Sequence, residues 1–516
     1  MIFLQCLDAS PQIWHTLVHV CQNWRHIVFT SPRTLQLRLY CKHGTPVLKN
    51  LGCWPALPII VEYGGYSYLD PPSSEDEDNV VVALEQSDRV NSISLTITKS
   101  LLEKFSVIEE PFSDLEQLVL LSQNPIGLAL PSTFKWGSRL RLLHSTGMAL
   151  PALPHLLSPS LDLVDLQLHE VPHAGYFSPE EFASALSGMT QLQSLSLHFL
   201  SPASRPSHIS PPPSPGERVV LPALTHLKFR GASEYLNSLA AKINAPGLVA
   251  IEARFFNQLI FHLSQLGQFF DRIEMQKSHL RADIAFSGRA VSIAFTPLDA
   301  HARLSLQISC EQLDWQLSSM AQILDQIFPI RSTVQDLHID TTEQSSEVDV
   351  GGDLWPELVR GFDAAEDFHV TGELATDIVI SLRAIDGEHT TVLPSLCNLR
   401  VQELSSMIQG PLLEAVESFI TSRRLSGYPV REGPLTLIYG AIGGLQSESR
   451  CHFCRQCSVG FLQLKAFQRH HRNVHSPPNK CSFCDSFLWR GGRKYLYRNH
   501  LKVHHPELAL PVELLS

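Results

Sequence analysis

Near the carboxyl end of this 516-residue chain, Cys454-x₂-Cys457 is followed after twelve residues by His470 and then, after four more, by His475. Two thiolates and two imidazoles close a tetrahedron around Zn²⁺ when a turn presents the sulfurs and a helix presents the nitrogens about one turn apart. Cys481, Cys484, His500 and His504 repeat the set with fifteen residues between the pairs, and His471 and His505 are alternatives to His470 and His504. A segment this small has almost no core, so metal binding must supply its folding free energy, on the order of 10–16 kcal/mol in comparable peptides. The expectation is about two structural Zn²⁺ ions per chain, each fully ligated by protein and therefore without an open position for activating water. Three rival arrangements use the same residues: a four-thiolate site from Cys454, Cys457, Cys481 and Cys484, a cross-braced site recruiting Cys451, and unliganded cysteines in a basic tail.

The first set resembles a C₂H₂ zinc finger, with Phe461 and Phe467 at the two apolar core positions. The second resembles a finger with an enlarged hairpin-to-helix turn around Gly491-Gly492, and Tyr497 keeps its helix core position. The resemblance implies small ββα units and, if their helices enter a major groove, places Lys465, Arg469, Arg493 and Asn499 toward nucleic acid. Only Arg469 among them is a typical reader of guanine. The linker Ser476-Pro477-Pro478-Asn479-Lys480 departs from the Thr-Gly-Glu-Lys-Pro type that sets tandem fingers in groove register. From Cys451 to Leu508 the chain holds ten Lys and Arg against two Asp and Glu, whereas the whole sequence carries a net −11. This tail is a separate electrostatic object, suited to DNA, RNA, bare phosphate or an acidic protein.

Something must position that tail. At the other end, Trp14, Leu17, Cys21, Trp24 and Val28 recur at spacings of three and four, which predicts one face of an amphipathic helix before Pro32. Leu17-Val18-His19-Val20-Cys21-Gln22-Asn23-Trp24-Arg25 resembles the Leu-x-x-Val-Cys-x-x-Trp-Arg signature of F-box proteins, in particular the fungal F-box/leucine-rich-repeat proteins. The resemblance covers about 30 residues and implies contact of Leu17, Val20 and Trp24 with a Skp-type adaptor of a cullin–RING ubiquitin ligase. The family's leading Leu-Pro-x-Glu-Leu helix has no counterpart ahead of Trp14, so either the reading frame extends upstream or adaptor binding is lost.

Between the ends, apolar-x-x-apolar-x-apolar recurs. It is read at Val90/Ile93/Leu95, Leu115/Leu118/Leu120, Leu163/Leu166/Leu168, Leu192/Leu195/Leu197, Leu224/Leu227/Phe229, Leu248/Ile251/Ala253 and Phe270/Ile273/Met275. Weaker echoes follow at Val334/Leu337/Ile339, Ala365/Phe368/Val370 and Leu396/Leu399/Val401. Each unit predicts a short parallel strand whose last two apolar residues face inward, then a helical or irregular return such as Pro179–Leu186 or Tyr235–Ile243. Leu221-Pro222-Ala223-Leu224 and Leu393-Pro394-Ser395-Leu396 resemble repeat entries of the same fungal family, which implies a curved surface that recruits a protein partner. The fold class expected is α/β, an irregular leucine-rich-repeat-like solenoid over residues 46–445. Helices of a truncated F-box precede it at 1–45, and two zinc units occupy 446–516. A non-repeating α/β domain is the competing architecture.

Two insertions interrupt the pattern. Ser73-Ser74-Glu75-Asp76-Glu77-Asp78 reads as a solvated acidic loop or an acidophilic kinase substrate, and Ser201–Gly216, with six prolines, as an excursion from the repeat body. No Gly-x₄-Gly-Lys-Ser/Thr, Gly-x-Gly-x-x-Gly, His-Glu-x-x-His or Gly-x-Ser-x-Gly is found, and His144, His155, His169, His198, His226 and His338 read as core-edge or exposed residues. Without a membrane-length apolar run or a basic signal region, an intracellular protein, nuclear or cytoplasmic and not secreted, is expected. The function expected is a non-enzymatic, substrate-recruiting scaffold; the alternative is a zinc-finger nucleic-acid-binding protein whose repeat body recruits protein partners.

Overall fold

The computed structural model describes residues 19–30, 37–41, 47–53, 57–64, 74–106, 108, 110–122, 128–151, 153–206, 218–272, 280–297, 303–343, 354–383, 392–403, 409–425, 435–439, 447–453, 460–461, 479–480 and 488–489. The chain is a mixed α/β protein that divides into two compact units. One comprises residues 1–279, 292–310 and 322–330, the other 280–291, 311–321 and 331–516.

The first strands are β1 (Leu37–Tyr40), β2 (Ile59–Tyr63), β3 (Val90–Ile97), β4 (Gln117–Ser122), β5 (Leu142–Thr146), β6 (Asp165–Val171) and β7 (Ser194–Phe199). They are followed by β8 (Val219–Val220), β9 (His226–Gly231), β10 (Ile243–Asn244), β11 (Ala250–Phe255), β12 (Leu280–Ser287), β13 (Ala290–Pro297) and β14 (Arg303–Ser309). In the first unit, β1, β2, β3, β4, β5, β6, β7, β9, β11 and β14 pair in that order, every pair parallel. A parallel neighbour requires a crossover connection, and helices such as Lys99–Phe105, Pro179–Leu186 and Ser233–Lys242 supply it.

The triplets explain the ladder's regularity. Their first apolar residue closes a turn, its N–H donating to the carbonyl three residues upstream, as in Leu163 to Ser160, Leu192 to Met189 and Leu224 to Leu221. That residue is buried, and the next two apolar positions enter the strand facing inward; Leu163, Leu166 and Leu168 are each at most 1% exposed. Just before each strand, or at the first residue in the case of β14, a second backbone bond recurs at 2.8–2.9 Å: Glu116 N–H to Asn91 O, Arg141 to Glu116, Val164 to Arg141, Gln193 to Val164, Thr225 to Gln193, Val249 to Thr225 and Arg303 to Val249. Each unit thus hands a hydrogen bond to the one before it, which fixes register without side-chain help.

The helices carry their own signals. Ser178 and Glu181 form a reciprocal capping box, with Pro179 at the first turn of the helix that ends at Leu186. Thr98 caps Lys99–Phe105 by accepting from Leu101 N–H at 3.0 Å.

The second unit continues with β15 (Val334–Glu343), β16 (Asp367–Gly372), β17 (Asn398–Glu403), β18 (Leu435–Tyr439) and β19 (Ser447–Phe453). β12, β15, β16, β17 and β18 pair in parallel, and β19 closes on β18 antiparallel. The same handed-on bond recurs from Glu366 to Gln335 and from Cys397 to Glu366.

The structure bears on four further sequence expectations. The acidic segment is not a loop from Ser74 onward: Ser74–Leu84 is a helix, and Glu77 is 4% exposed, held by the hydroxyls of Thr98 and Ser100 and by Lys104. Phe270, the first position of its triplet, is buried on the helix Ser264–Asp271, and the strand expected at Ile273 and Met275 lies outside the described residues. The single amino-terminal helix face is interrupted by a turn at His19-Val20, so the helix starts at Gln22. Finally, the proline-rich insertion begins packed, Ser204 being fully buried with its hydroxyl 3.3 Å from His173 Nδ1; residues 207–216 lie outside the described residues.

Candidate functional site

Alternation places the residue between two buried apolar ones on the opposite face of the sheet. On the first unit's ladder this face is polar and half-exposed, and its rows are set by register. One row runs His144, Gln167, Ser196, Lys228, Glu252, Ser305; the next pairs Thr146 with His169 and, beyond a register shift between β6 and β7 after Leu168, His198 with Arg230, Arg254 and Gln307.

Three histidines meet there. The ring of His169 stacks on that of His198 with centroids 4.3 Å apart and meets His144 edge-on at 5.2 Å. Ser196 Oγ lies 2.8 Å from His169 Nε2 and 3.3 Å from His198 Nε2, so one hydroxyl joins two imidazoles. Burial lowers the pKa of all three rings, and for His198 the neighbouring His169, Arg230, Arg254 and Lys228 add to it, down to about 4. A serine against a histidine invites comparison with a nucleophile and its base. Ser196 is however 4% exposed and lies on a strand whose backbone N–H groups are committed to the ladder. What the arrangement does is hold neutral rings against one another.

The second unit carries a mixed cluster on the equivalent face. Arg281 donates to Asp283 Oδ1 at 2.6 and 2.8 Å, and His338 Nδ1 is 3.1 Å from the same oxygen. His338 Nε2 then lies 3.3 Å from Thr371 Oγ1, and its ring stacks on His369 at 4.6 Å. Burial opposes ionisation of Asp283, but the bonds from His338 and Arg281 outweigh it and hold the carboxyl below its ordinary range. Asp336 is shifted the other way, first by burial and then by Asp367 and Asp283. Burial, with the charges of His338, Arg400 and Arg281, takes His369 down to about 4. A polar cavity of about 150 Å³ is lined by Arg281, Asp336, Asp367, Phe368, His369 and Arg400. Among the described residues no group of three or more His, Cys, Asp and Glu is placed to hold a metal ion.

Neither cluster is announced by a motif. The second joins Asp283 to His338 across 55 residues, and only the strand pairing of β12 with β15 brings them together. From sequence His144, His169, His198 and His338 read only as core-edge or exposed residues; neither the stacking nor the part played by His369 is visible along the chain.

The expected metal ligands Cys454, Cys457, His470, His475, Cys481, Cys484, His500 and His504 lie outside the described residues, as do Lys465, Arg469, Arg493, Asn499 and Leu17. Short antiparallel pairs nevertheless bracket both cysteine pairs: His452-Phe453 with Gly460-Phe461, and Asn479-Lys480 with Leu488-Trp489. Cys451 lies on β19, in register with Leu435. Of the amino-terminal residues, Val20 is 59% exposed and Trp24 half-buried. No helix among the described residues is long and apolar enough to cross a membrane.

Compared with models of known families and with curated proteins, the sequence matches none of them.

Proposed function

We propose that the chain is a non-enzymatic interaction protein: a leucine-rich-repeat-like solenoid that recruits a protein partner on the polar face of its sheet, with an F-box-like amino terminus and a zinc-stabilised basic tail. The observation that carries this reading is the handed-on backbone bond from Asn91 through Arg303, because it recurs unit by unit beneath a polar sheet face. Repeat arrays use such extended faces for binding. The antiparallel pairs bracketing Cys454–Cys457 and Cys481–Cys484 support structural zinc, since a hairpin is what presents two thiolates to one ion. The F-box likeness supports a ligase adaptor as a second partner, and the basic tail supports nuclear residence.

The test is photocross-linking in cells from Thr96 and Gln307 on the sheet face, with Glu103 on a neighbouring helix as control. Protein adducts at the two face positions and none at Glu103 are expected. Absence of adducts, or adducts to nucleic acid alone, would overturn the reading. Blotting the same material for the Skp-type adaptor tests the F-box assignment separately.

A further inference from the structure

We infer that the sheet face at β7, β9 and β11 is a docking surface for an acidic, extended peptide segment of the recruited partner; this deepens the interaction reading above and rests on it. Arg230 and Arg254 occupy the same register position on adjacent strands, with His198 next in the row. Lys228 precedes Arg230 by two residues and so faces the same way. Like charges directly opposite one another across a strand pair are destabilising, so a sheet built for stability alone would avoid this placement. The nearest acid on that face, Glu252, is occupied by Lys228 at 3.4 Å. Arg230 and Arg254 are both exposed and make no ion pair among the described residues. In a chain with a net charge of −11 this is a local basic island.

The loops leaving these strands add an apolar component. Arg205, Ala232, Glu234, Asn257, Leu259 and Ile260 are among the residues lining a cleft of about 400 Å³. Leu259 and Ile260 are 79% and 62% exposed at its wall, five and six residues beyond Arg254 along the chain. Carboxylates suit the guanidinium fork, and a bulky apolar side chain beside them suits the cleft. Neighbouring strands lie about 4.8 Å apart, within reach of alternate side chains of an extended peptide crossing them.

The full zinc-loaded chain is titrated against a fluorescein-labelled peptide of alternating Glu and Ser ending in Leu-Leu, against the matched Gln peptide, and against single-stranded oligothymidylate. The Glu peptide should bind in a salt-sensitive way, and the double variant Arg230→Glu/Arg254→Glu should weaken it by at least about tenfold while Arg230→Lys retains it. An unchanged melting curve for the charge-reversal variant shows that folding is not at issue. Equal binding of the Gln peptide overturns the inference. So does tighter binding of the oligonucleotide lost in the same variant. Binding that survives in this variant but disappears in Lys465→Glu/Arg469→Glu assigns it to the tail and also overturns it. If the Glu peptide fails while Thr96 and Gln307 still cross-link to protein, the peptide class is wrong and the interaction reading stands; if both fail, both fall.

Discussion

The imidazoles of His169 and His198 lie face to face on neighbouring strands, 4.3 Å between centroids and 13° from parallel. Burial favours the neutral form of both rings, and for His198 the nearby His169, Arg230 and Arg254 add to it.

Acid should therefore weaken the first unit. His198 is held neutral down to about 4 when folded, against about 6.5 for a free imidazole, so the unfolded chain binds the extra proton between those values. Stability is present above that window and falls as the pH drops through it. Urea midpoints at pH 4.5 and 7.5 should differ, and His198→Asn should shrink the difference; an unchanged difference would show that the ring is not the source.

Glu77 gives an independent acid-sensitive element. Burial would raise its pKa, but the Ser100 and Thr98 hydroxyls and the Lys104 ammonium outweigh that and keep it ionised, so its contribution is lost as pH falls through the carboxylate range. Glu77→Ala should cost about 1–3 kcal/mol by chemical denaturation at neutral pH, because the Thr98 and Ser100 hydroxyls and Lys104 lose their shared acceptor. A cost below the measurement error would restore the solvated-loop reading.

Arg423, 1% exposed, donates to the carbonyls of Val392 and Leu393 at 2.6 and 2.9 Å. Leu393 has a positive φ of 54°, so the guanidinium pins a turn that no regular ladder holds. Arg423→Met should keep much of the volume and still cost about 2–4 kcal/mol. Thermal melting that shows no loss would mean the turn is secured elsewhere.

Ser145 predicts the opposite sign. It is 2% exposed at an inward position of β5, and its hydroxyl has no hydrogen-bond partner among the described residues. Ser145→Ala should stabilise by about 1 kcal/mol. A destabilised variant would imply a partner for that hydroxyl.

For the tail, elemental analysis should find about two zinc ions per chain, with Cys454→Ala and Cys481→Ala each removing one. One ion lost by both variants would favour the four-thiolate arrangement, and none in the parent chain would end the zinc proposal.

Ser145 also shows where the sequence stops being readable. The triplet rule finds β3, β4, β6, β7, β9 and β11 because all three apolar positions are filled. It misses β5, where Leu140 and Leu143 are followed by Ser145, and β14, where the position before Leu304 and Leu306 is His301. Glu77 was misread because a carboxylate's neighbours on other elements are invisible along the chain. The Asp283–His338 contact escaped for the same reason: pairing across 55 residues leaves no local spacing to detect.

The division of the chain has a practical corollary. Leu280–Val291 belongs with the later residues, yet Ser292–Cys310 returns to the earlier ones. No single cut releases both halves whole: ending at His279 strips β11 of β14, and starting at Arg331 strips β15 of β12. Fragments designed on a simple left and right split should precipitate, and dissection of this protein calls for grafting a segment rather than truncating.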